Sequence, residues 1–343
     1  MATDPQGLDT DAVADWLASH APGVVNGPLE ASLITGGKSN LTYRITDGQH
    51  DYVVRRPPLG HVLATAHDMA REHRVMAALA PTAVPVPRMV AMCEDTEVIG
   101  APFYVMERVV GTPYSQADQL EQLGTARTRT ITERMVDTLV DLHAVDVRDV
   151  GLAEFGRPAG YTGRQISRWK KQLAASTSRE LPGMAELIAT LDARVPPSGD
   201  ATIVHGDFRL DNLLIGSDDT VAAVLDWEMS TLGDPLSDVA LMLAYQQLGE
   251  TTPPSGRDAA IVTDAPLAAG YLSREETVER YASGSGRDVS DLGFHLSLAF
   301  FKLAVILEGI HYRHSHGQTV GTGFDGIGEL IVPLIEAGRA ASR

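Results

Sequence analysis

Short apolar runs in the first third of the chain predict β-strands. The runs lie at residues 31–35, 41–46, 52–55, 88–93 and 102–107. Gly36-Gly37 separates the first two runs, and Pro57-Pro58 ends the third, since proline cannot donate to a sheet ladder. Between the third and fourth runs, apolar residues recur at helical spacing and predict a helix over about 66–80. The pattern therefore indicates a small sheet that carries one helix.

After Gly111 the pattern changes to helical periodicity. Amphipathic helices are predicted around Ile131 to Leu142, at 161–175 and at 184–193, and helical patterns resume from 236 to the end. A β-rich interval at 202–215 and 221–225 interrupts them. We expect an α+β fold with two lobes. The N-terminal lobe, residues 1–108, would hold a small antiparallel sheet and a short helical extension, and residues 109–343 would form a larger, mainly helical lobe.

Composition narrows the class of protein and its partners. The chain has 343 residues, 44% of them hydrophobic, and a net charge of −17. This charge argues against nucleic-acid and anionic-membrane binding, which need a basic surface. The single cysteine, Cys93, cannot form an internal disulfide. The N-terminus lacks a signal-peptide pattern, and His295, Lys302 and Glu308 interrupt the most apolar segment, so we expect a buried helix there, no membrane span and a cytoplasmic protein.

Three polar side chains at strand ends carry the candidate chemistry. Asp207 and Asn212 lie in the β-rich interval, and Asp226 follows the run 221–225. Mg²⁺ takes oxygen ligands and usually binds one or two protein groups besides phosphate and water. Asn212 and Asp226 fit that ligand type, and Asp207 could accept the proton of an attacking hydroxyl. The alternative is that surface loops carry these residues without a site.

The motif His205-Gly206-Asp207 with Asn212, followed by Leu225-Asp226-Trp227-Glu228, resembles the aminoglycoside phosphotransferase and choline-kinase-like family. This resemblance implies a protein-kinase-like fold, ATP and Mg²⁺ as cofactors, Asp207 as catalytic base and Asn212 and Asp226 as metal ligands. In that pattern Arg209 can stabilise the transferred phosphoryl group, with a structural salt bridge as the alternative.

The remaining parts of a kinase nucleotide site occur in the expected order. Gly36, Gly37, Ser39 and Asn40 lie where a phosphate-covering loop belongs. A Walker A loop is the competing interpretation, but it needs glycine where Ser32 stands and a helix where 41–45 reads as a strand. The family pattern has a lysine on the third strand. This chain has Arg55 beside Arg56, and strand alternation favours Arg55.

The partner of Arg55 would be Glu72 on the following helix. By resemblance, Met106 would line the adenine pocket, while the Glu107 carbonyl and the Val109 amide would hydrogen-bond the adenine edge. These two backbone roles scarcely depend on the side chains that the sequence shows.

The segments 52–58, 66–79, 84–87 and 99–107 resemble more narrowly the kinase domain attached to certain acyl-CoA dehydrogenases, and the resemblance extends over about residues 30–315. The resemblance implies phosphorylation of a small-molecule hydroxyl, with a hydroxylated metabolite or a hydroxyacyl thioester as acceptor. An antibiotic kinase and an inactive nucleotide-binding pseudokinase are the alternatives. A protein kinase is disfavoured, because the stretch between Asp226 and Asp234 is too short for an activation segment. The acceptor, the choice of ATP or GTP and the oligomeric state stay open.

Overall fold

A computed structural model describes residues 4–34, 40–60, 67–177, 179–197, 199–252, 262–318, 324 and 326–342. The chain divides into two compact units. The first comprises residues 1–111 and 222–230, and the second comprises residues 112–221 and 231–343.

The first unit is built on an antiparallel sheet of five strands with the order β1-β2-β3-β5-β4. Its elements up to Gly111 are α1 (Thr10–His20), β1 (Glu30–Leu33), β2 (Leu41–Thr46), β3 (Asp51–Arg56), α2 (Met69–Leu79), β4 (Met89–Cys93) and β5 (Phe103–Glu107). The helix predicted over 66–80 begins at Met69, because the Asp68 side chain accepts a hydrogen bond from the Arg71 amide and caps it. Strand β1 begins one residue earlier than predicted.

Alternation along the central strands gives the sheet two different faces. Val54 on β3 pairs with Val105 on β5, and both pack with Val13 and Leu17 of α1 in one apolar core. The next residue of β3, Arg55, lies opposite Tyr104, and this pair points to the other face, where α2 packs. The period of two therefore separates an apolar face from a polar one.

The second unit is mainly helical. Its elements are α3 (Ala117–Glu121), α4 (Thr125–Ala144), α5 (Tyr161–Ser176), α6 (Met184–Ala193), β6 (Thr202–Val204), β7 (Leu213–Ile215), β9 (Thr231–Gly233), α7 (Leu236–Thr251), α8 (Arg274–Ser285), α9 (Leu292–Ser315) and α10 (Ile331–Ala341). Strand β8 (Val221–Val224) lies between β7 and β9 in the chain and, apart from Val221, belongs to the first unit. Strands β6 and β9 pair antiparallel. The predicted β-rich interval 202–215 contains two short strands, separated by a loop and a 3₁₀ turn at Leu210–Asn212.

Helix α9 forms the centre of this unit, packed against α5, α6, α7 and α10. Among the helices of the described residues, it alone has the length and apolar composition of a membrane span, and most of that stretch is buried inside the protein. It corresponds to the buried helix predicted from the apolar segment.

The α+β class, the small antiparallel sheet and the larger helical part are confirmed. Residues 222–230 belong to the first unit. The Val224 amide donates to the Pro85 carbonyl at 2.8 Å, and Arg71 of α2 donates to the Ser230 carbonyl at 3.1 Å. These hydrogen bonds attach the segment to the sheet-bearing unit.

Candidate functional site

The first unit collects a charged cluster on the α2 face of its sheet. Arg55 Nε lies 3.1 Å from Glu72 Oε2, and Arg55 Nη2 donates to Asp226 Oδ1 at 2.6 Å. The Glu72 side chain is 1% exposed and that of Arg55 is 13% exposed. Burial opposes the charged guanidinium, but Tyr104, Glu72 and Asp226 outweigh it and raise the pKa of Arg55 above its usual value. Arg55 therefore holds a permanent positive charge between two carboxylates.

Glu72 is further held by neutral donors. The Tyr104 hydroxyl donates to Glu72 Oε2 at 2.9 Å, and the Asn40 amide donates to Glu72 Oε1 at 3.0 Å. Burial nevertheless raises the pKa of Glu72, although Arg55 and Tyr104 act in the opposite direction. Asn40, predicted in the phosphate-covering loop, is thus buried against Glu72. Gly36, Gly37 and Ser39, predicted in the same loop, lie outside the described residues.

Arg56 has a different environment from Arg55. Its guanidinium donates to the Gly7 carbonyl and, at 2.9 Å, to the Ile99 carbonyl, and the residue is buried. The sheet alternation turns it away from Glu72, so Arg55 is the arginine that pairs with the helix. Whether Arg55 contacts phosphate stays a prediction.

Asp226 lies at a sharp bend after β8. Its φ is 65°, in the left-handed region that aspartate enters more readily than most residues with a side chain. A 3₁₀ turn follows at once, and the buried Trp227 indole donates to the Val224 carbonyl at 2.9 Å. The hydrogen bond between Trp227 and Val224 therefore closes the bend, and the Asp226 carboxylate accepts from Arg55.

The second unit contains the loop with the predicted base. Asn212 Nδ2 donates to the Asp207 carbonyl at 2.8 Å and to Asp207 Oδ2 at 3.1 Å. The Asp207 amide donates to His205 Nδ1 at 3.2 Å, so His205, which is fully buried, orients the loop. The Asn212 amide nitrogen thus faces Asp207, which leaves the amide oxygen on the other side to accept or to ligate.

Asp238 of α7 anchors this loop. Its two carboxylate oxygens accept from the His205 amide at 2.6 Å and the Gly206 amide at 2.7 Å, and His143 Nε2 lies 3.3 Å away. Burial acts to raise the pKa of Asp238, but the hydrogen bond and charge of His143, with the charge of His205 and the Gly206 amide, hold it below the usual value. Asp238 is therefore an ionised, fully buried anchor.

Arg209 is buried in a local ion pair. Its Nε donates to Asp211 Oδ1, and its guanidinium lies 4.1 Å from the centroid of the Tyr245 ring. Burial opposes its charge, yet Asp211 and other neighbours raise its pKa above the usual value. These are the contacts of the structural salt bridge that the sequence left open as an alternative, and a catalytic role for Arg209 stays a prediction.

Lys302 of α9 was not predicted as a site residue. Its Nζ donates to the Gly206 carbonyl at 2.9 Å and lies 5.7 Å from the Trp169 ring centroid. It lines a cavity of about 40 Å³ together with Gly206 and Trp169. The available signal was a lysine inside the apolar run 298–307 of this helix.

The predicted adenine-binding residues lie at the end of β5. Met106 is buried, and the Glu107 side chain is exposed and accepts from Arg88 at 3.0 Å. The roles of Met106, Glu107 and Val109 in nucleotide binding stay predictions. A joint metal site of Asn212 and Asp226 also stays a prediction, because the two residues lie in different units.

Comparisons with known proteins identify the family. The family model described as "Phosphotransferase enzyme family" matches residues 30–276, more than half of the chain. Acyl-CoA dehydrogenase family member 10 from Mus musculus is 35% identical over 332 residues, which cover 96% of this chain and 31% of that protein. The chain belongs to the phosphotransferase enzyme family. It spans less than half the length of the curated relatives it matches.

Solved structures of phosphotransferases share the fold. A crystal structure from Ralstonia eutropha JMP134, of a protein provisionally assigned as an aminoglycoside phosphotransferase, is 34% identical with a TM-score of 0.84, covering 97% of this chain and 98% of that one. Aminoglycoside phosphotransferase APH(4)-Ia, solved with AMP-PNP and hygromycin B, is 15% identical with a TM-score of 0.61 and the same coverage. The predicted kinase-like fold and the resemblance to this family are confirmed.

Proposed function

We propose that this phosphotransferase family member transfers the γ-phosphoryl group of ATP, with Mg²⁺, to a hydroxyl group of a small molecule. The observation that carries the proposal is the Asp207–Asn212 pair. One amide group donates both to the backbone and to the carboxylate of Asp207, at 2.8 and 3.1 Å. A carboxylate held in this way in a loop anchored by Asp238 is suited to receive a proton at a defined position.

In the proposed reaction, the acceptor oxygen forms a bond to the γ-phosphorus while the bond from that phosphorus to the bridging oxygen of ADP breaks. The proton of the acceptor hydroxyl moves to Asp207. Phosphoryl transfer needs mainly positioning and stabilisation of negative charge. Arg55 would supply fixed charge to the phosphates, since its pKa is raised and Glu72 holds it from the side.

Asn212 and Asp226 each offer an oxygen donor of the kind that a magnesium ion takes. One is an amide oxygen and the other a carboxylate, and Mg²⁺ prefers oxygen ligands and keeps room for phosphate oxygens. The orientation of Asn212, with its nitrogen on Asp207, supports this role for its oxygen. When bound, Mg²⁺ would neutralise charge on the phosphates.

We propose a hydroxylated metabolite or a hydroxyacyl thioester as the acceptor. Similarity to relatives named as acyl-CoA dehydrogenase family members supports this class. The alternative acceptor is an aminoglycoside, supported by the assignment of the Ralstonia eutropha protein. A screen that measures ADP formation with hydroxyacyl-CoA thioesters, sugars, amino alcohols and aminoglycosides distinguishes the two.

The role of Asp207 is tested with Asp207→Asn, and Asp219→Asn serves as control. Asp219 is a carboxylate in the same unit that pairs with Arg127 at 2.6 Å. We expect Asp207→Asn to lower kcat by about 10²–10⁴-fold with little change in nucleotide binding, and the control to keep its rate. Near-normal turnover of Asp207→Asn would contradict the proposal. Tight ATP binding by the wild type without transfer to any acceptor would favour a non-catalytic nucleotide-binding module.

A further inference from the structure

Lys302 is a charged residue at an unfavourable place. It is partly buried in the central helix α9, next to the buried residues Phe301, Leu303 and Ala304. An ammonium group loses hydration when it is buried, and a hydrophobic residue of similar size is often neutral or stabilising at such a position. Burial accordingly lowers the pKa of Lys302, although Asp207 and Asp238 act in the opposite direction. Fold stability alone therefore gives little reason for a lysine here.

The position of the ammonium group is specific. Its Nζ donates to the Gly206 carbonyl at 2.9 Å, and this carbonyl belongs to the peptide that joins Gly206 to Asp207. On the other side of Gly206, Asp238 accepts from the Gly206 amide at 2.7 Å and from the His205 amide at 2.6 Å. Two opposite charges from α7 and α9 thus hold both peptide groups of Gly206.

This arrangement limits how Asp207 can rotate. The Gly206–Asp207 peptide is held at its carbonyl by Lys302, and the Asp207 amide donates to His205 Nδ1 at 3.2 Å. Rotation of the peptide would break both hydrogen bonds, and it would displace the Asp207 carboxylate from Asn212. The orientation of Asp207 therefore depends on a residue far away in the sequence.

We propose that Lys302 is a positioning residue for phosphoryl transfer, which fixes the Gly206–Asp207 peptide and thereby the direction of the Asp207 carboxylate. The inference rests on the proposed role of Asp207 as base. Lys302 acts through the loop, and its ammonium group bonds the backbone of Gly206 rather than the Asp207 side chain.

The test uses Lys302→Met, Lys302→Arg and a control, Lys170→Met. Lys170 is a half-exposed lysine of the same unit that pairs with Asp192 at 2.6 Å. ATP hydrolysis with water as acceptor is followed by release of inorganic phosphate, and hydrogen exchange is measured for amides 203–209. Thermal unfolding reports stability.

We expect Lys302→Met to lower kcat at least about tenfold with less than about a twofold change in KM for ATP, since a misplaced group loses rate rather than ground-state binding. Its Tm should stay equal or rise, and the Asp207 amide, which belongs to the peptide that Lys302 holds, should exchange faster. Lys302→Arg should recover part of the rate, while Lys170→Met should match the wild type in rate and exchange.

Two results would overturn the inference. The first is a wild-type kcat in Lys302→Met, whatever its Tm, and a lower Tm would then indicate a structural role. The second is unchanged exchange of residues 203–209 in both Lys302 variants. If the wild type transfers phosphate neither to water nor to any acceptor of the screen, the proposed function fails, and the hydrogen-exchange measurement still decides whether Lys302 holds the loop.

Discussion

Replacement of Asp238 by alanine should strongly destabilise the second unit. The carboxylate is fully buried and accepts from the His205 amide at 2.6 Å and the Gly206 amide at 2.7 Å, with His143 Nε2 at 3.3 Å. Alanine would leave these three groups without their carboxylate acceptor. The loss of unfolding free energy should therefore exceed the loss caused by removing an ordinary surface hydrogen bond.

The magnitude follows from the three contacts. A buried donor left without its acceptor costs about 1–3 kcal/mol, which gives an upper range of about 3–9 kcal/mol for three. The contact between His143 Nε2 and Asp238 is long, at 3.3 Å, and contributes little. We therefore expect Asp238→Ala to lower the free energy of unfolding by about 3–5 kcal/mol, which is typical of a broken buried ion pair. For a unit of this size, that loss lowers Tm by about 10 °C. Asp238→Asn keeps one acceptor oxygen, so its free energy of unfolding should fall by about half as much as that of Asp238→Ala.

Urea and thermal unfolding at pH 7 measure these losses, with Asp192→Asn as control. Asp192 is a half-exposed carboxylate paired with Lys170, and its replacement should cost less than about 1 kcal/mol. A loss below about 1 kcal/mol for Asp238→Ala would refute the reasoning, because the buried amides would then have found other partners.

The pH dependence gives a second check on Asp238. Its folded pKa lies below the usual value, so its ionised form stabilises the protein above the unfolded pKa of about 3.9, and this stabilisation is lost as pH falls through the folded pKa. The difference in unfolding free energy between wild type and Asp238→Asn should therefore shrink below about pH 4. A constant difference down to pH 3 would contradict an ionised Asp238.

Three further changes test other parts of the structure. Arg55→Met leaves the buried Glu72 without its cation and should cost about 3 kcal/mol in urea unfolding; an unchanged midpoint would argue against the ion pair. Tyr104→Phe removes the hydrogen bond to Glu72 and should cost about 1.5–3 kcal/mol, measured in the same way. Gly270→Ala places a Cβ 2.2 Å from the Thr125 carbonyl oxygen at a φ of +95° and should lower stability by more than about 2 kcal/mol. Gly151→Ala, at a φ of +71° with open space around it, should cost only about 1–2 kcal/mol, so equal losses would rule out the clash.

The parts of the site that depend on neighbouring residues could be predicted from the sequence. Asp207 and Asn212 lie in one turn, so their contact follows from local backbone geometry. Strand alternation assigned Arg55 and Arg56 to opposite faces, and the structure places them so, with Arg55 against Glu72. The antiparallel sheet and the helices α5 and α6 followed from periodicities of the chain, which act over a few residues.

The long-range partners depended on packing. Asp238 lies on α7 and Lys302 on α9, and no local pattern indicates that both reach the peptide groups of Gly206. For Arg209 the sequence left open a place beside a phosphoryl group or a structural salt bridge, and it did not indicate the contacts with Asp211 and Tyr245 that the structure shows. A charged side chain takes the partner that tertiary packing brings near, because an unpaired buried charge is costly. Local spacing thus predicted the residues that we propose for the reaction, whereas the folded core specified which charges hold the loop in place.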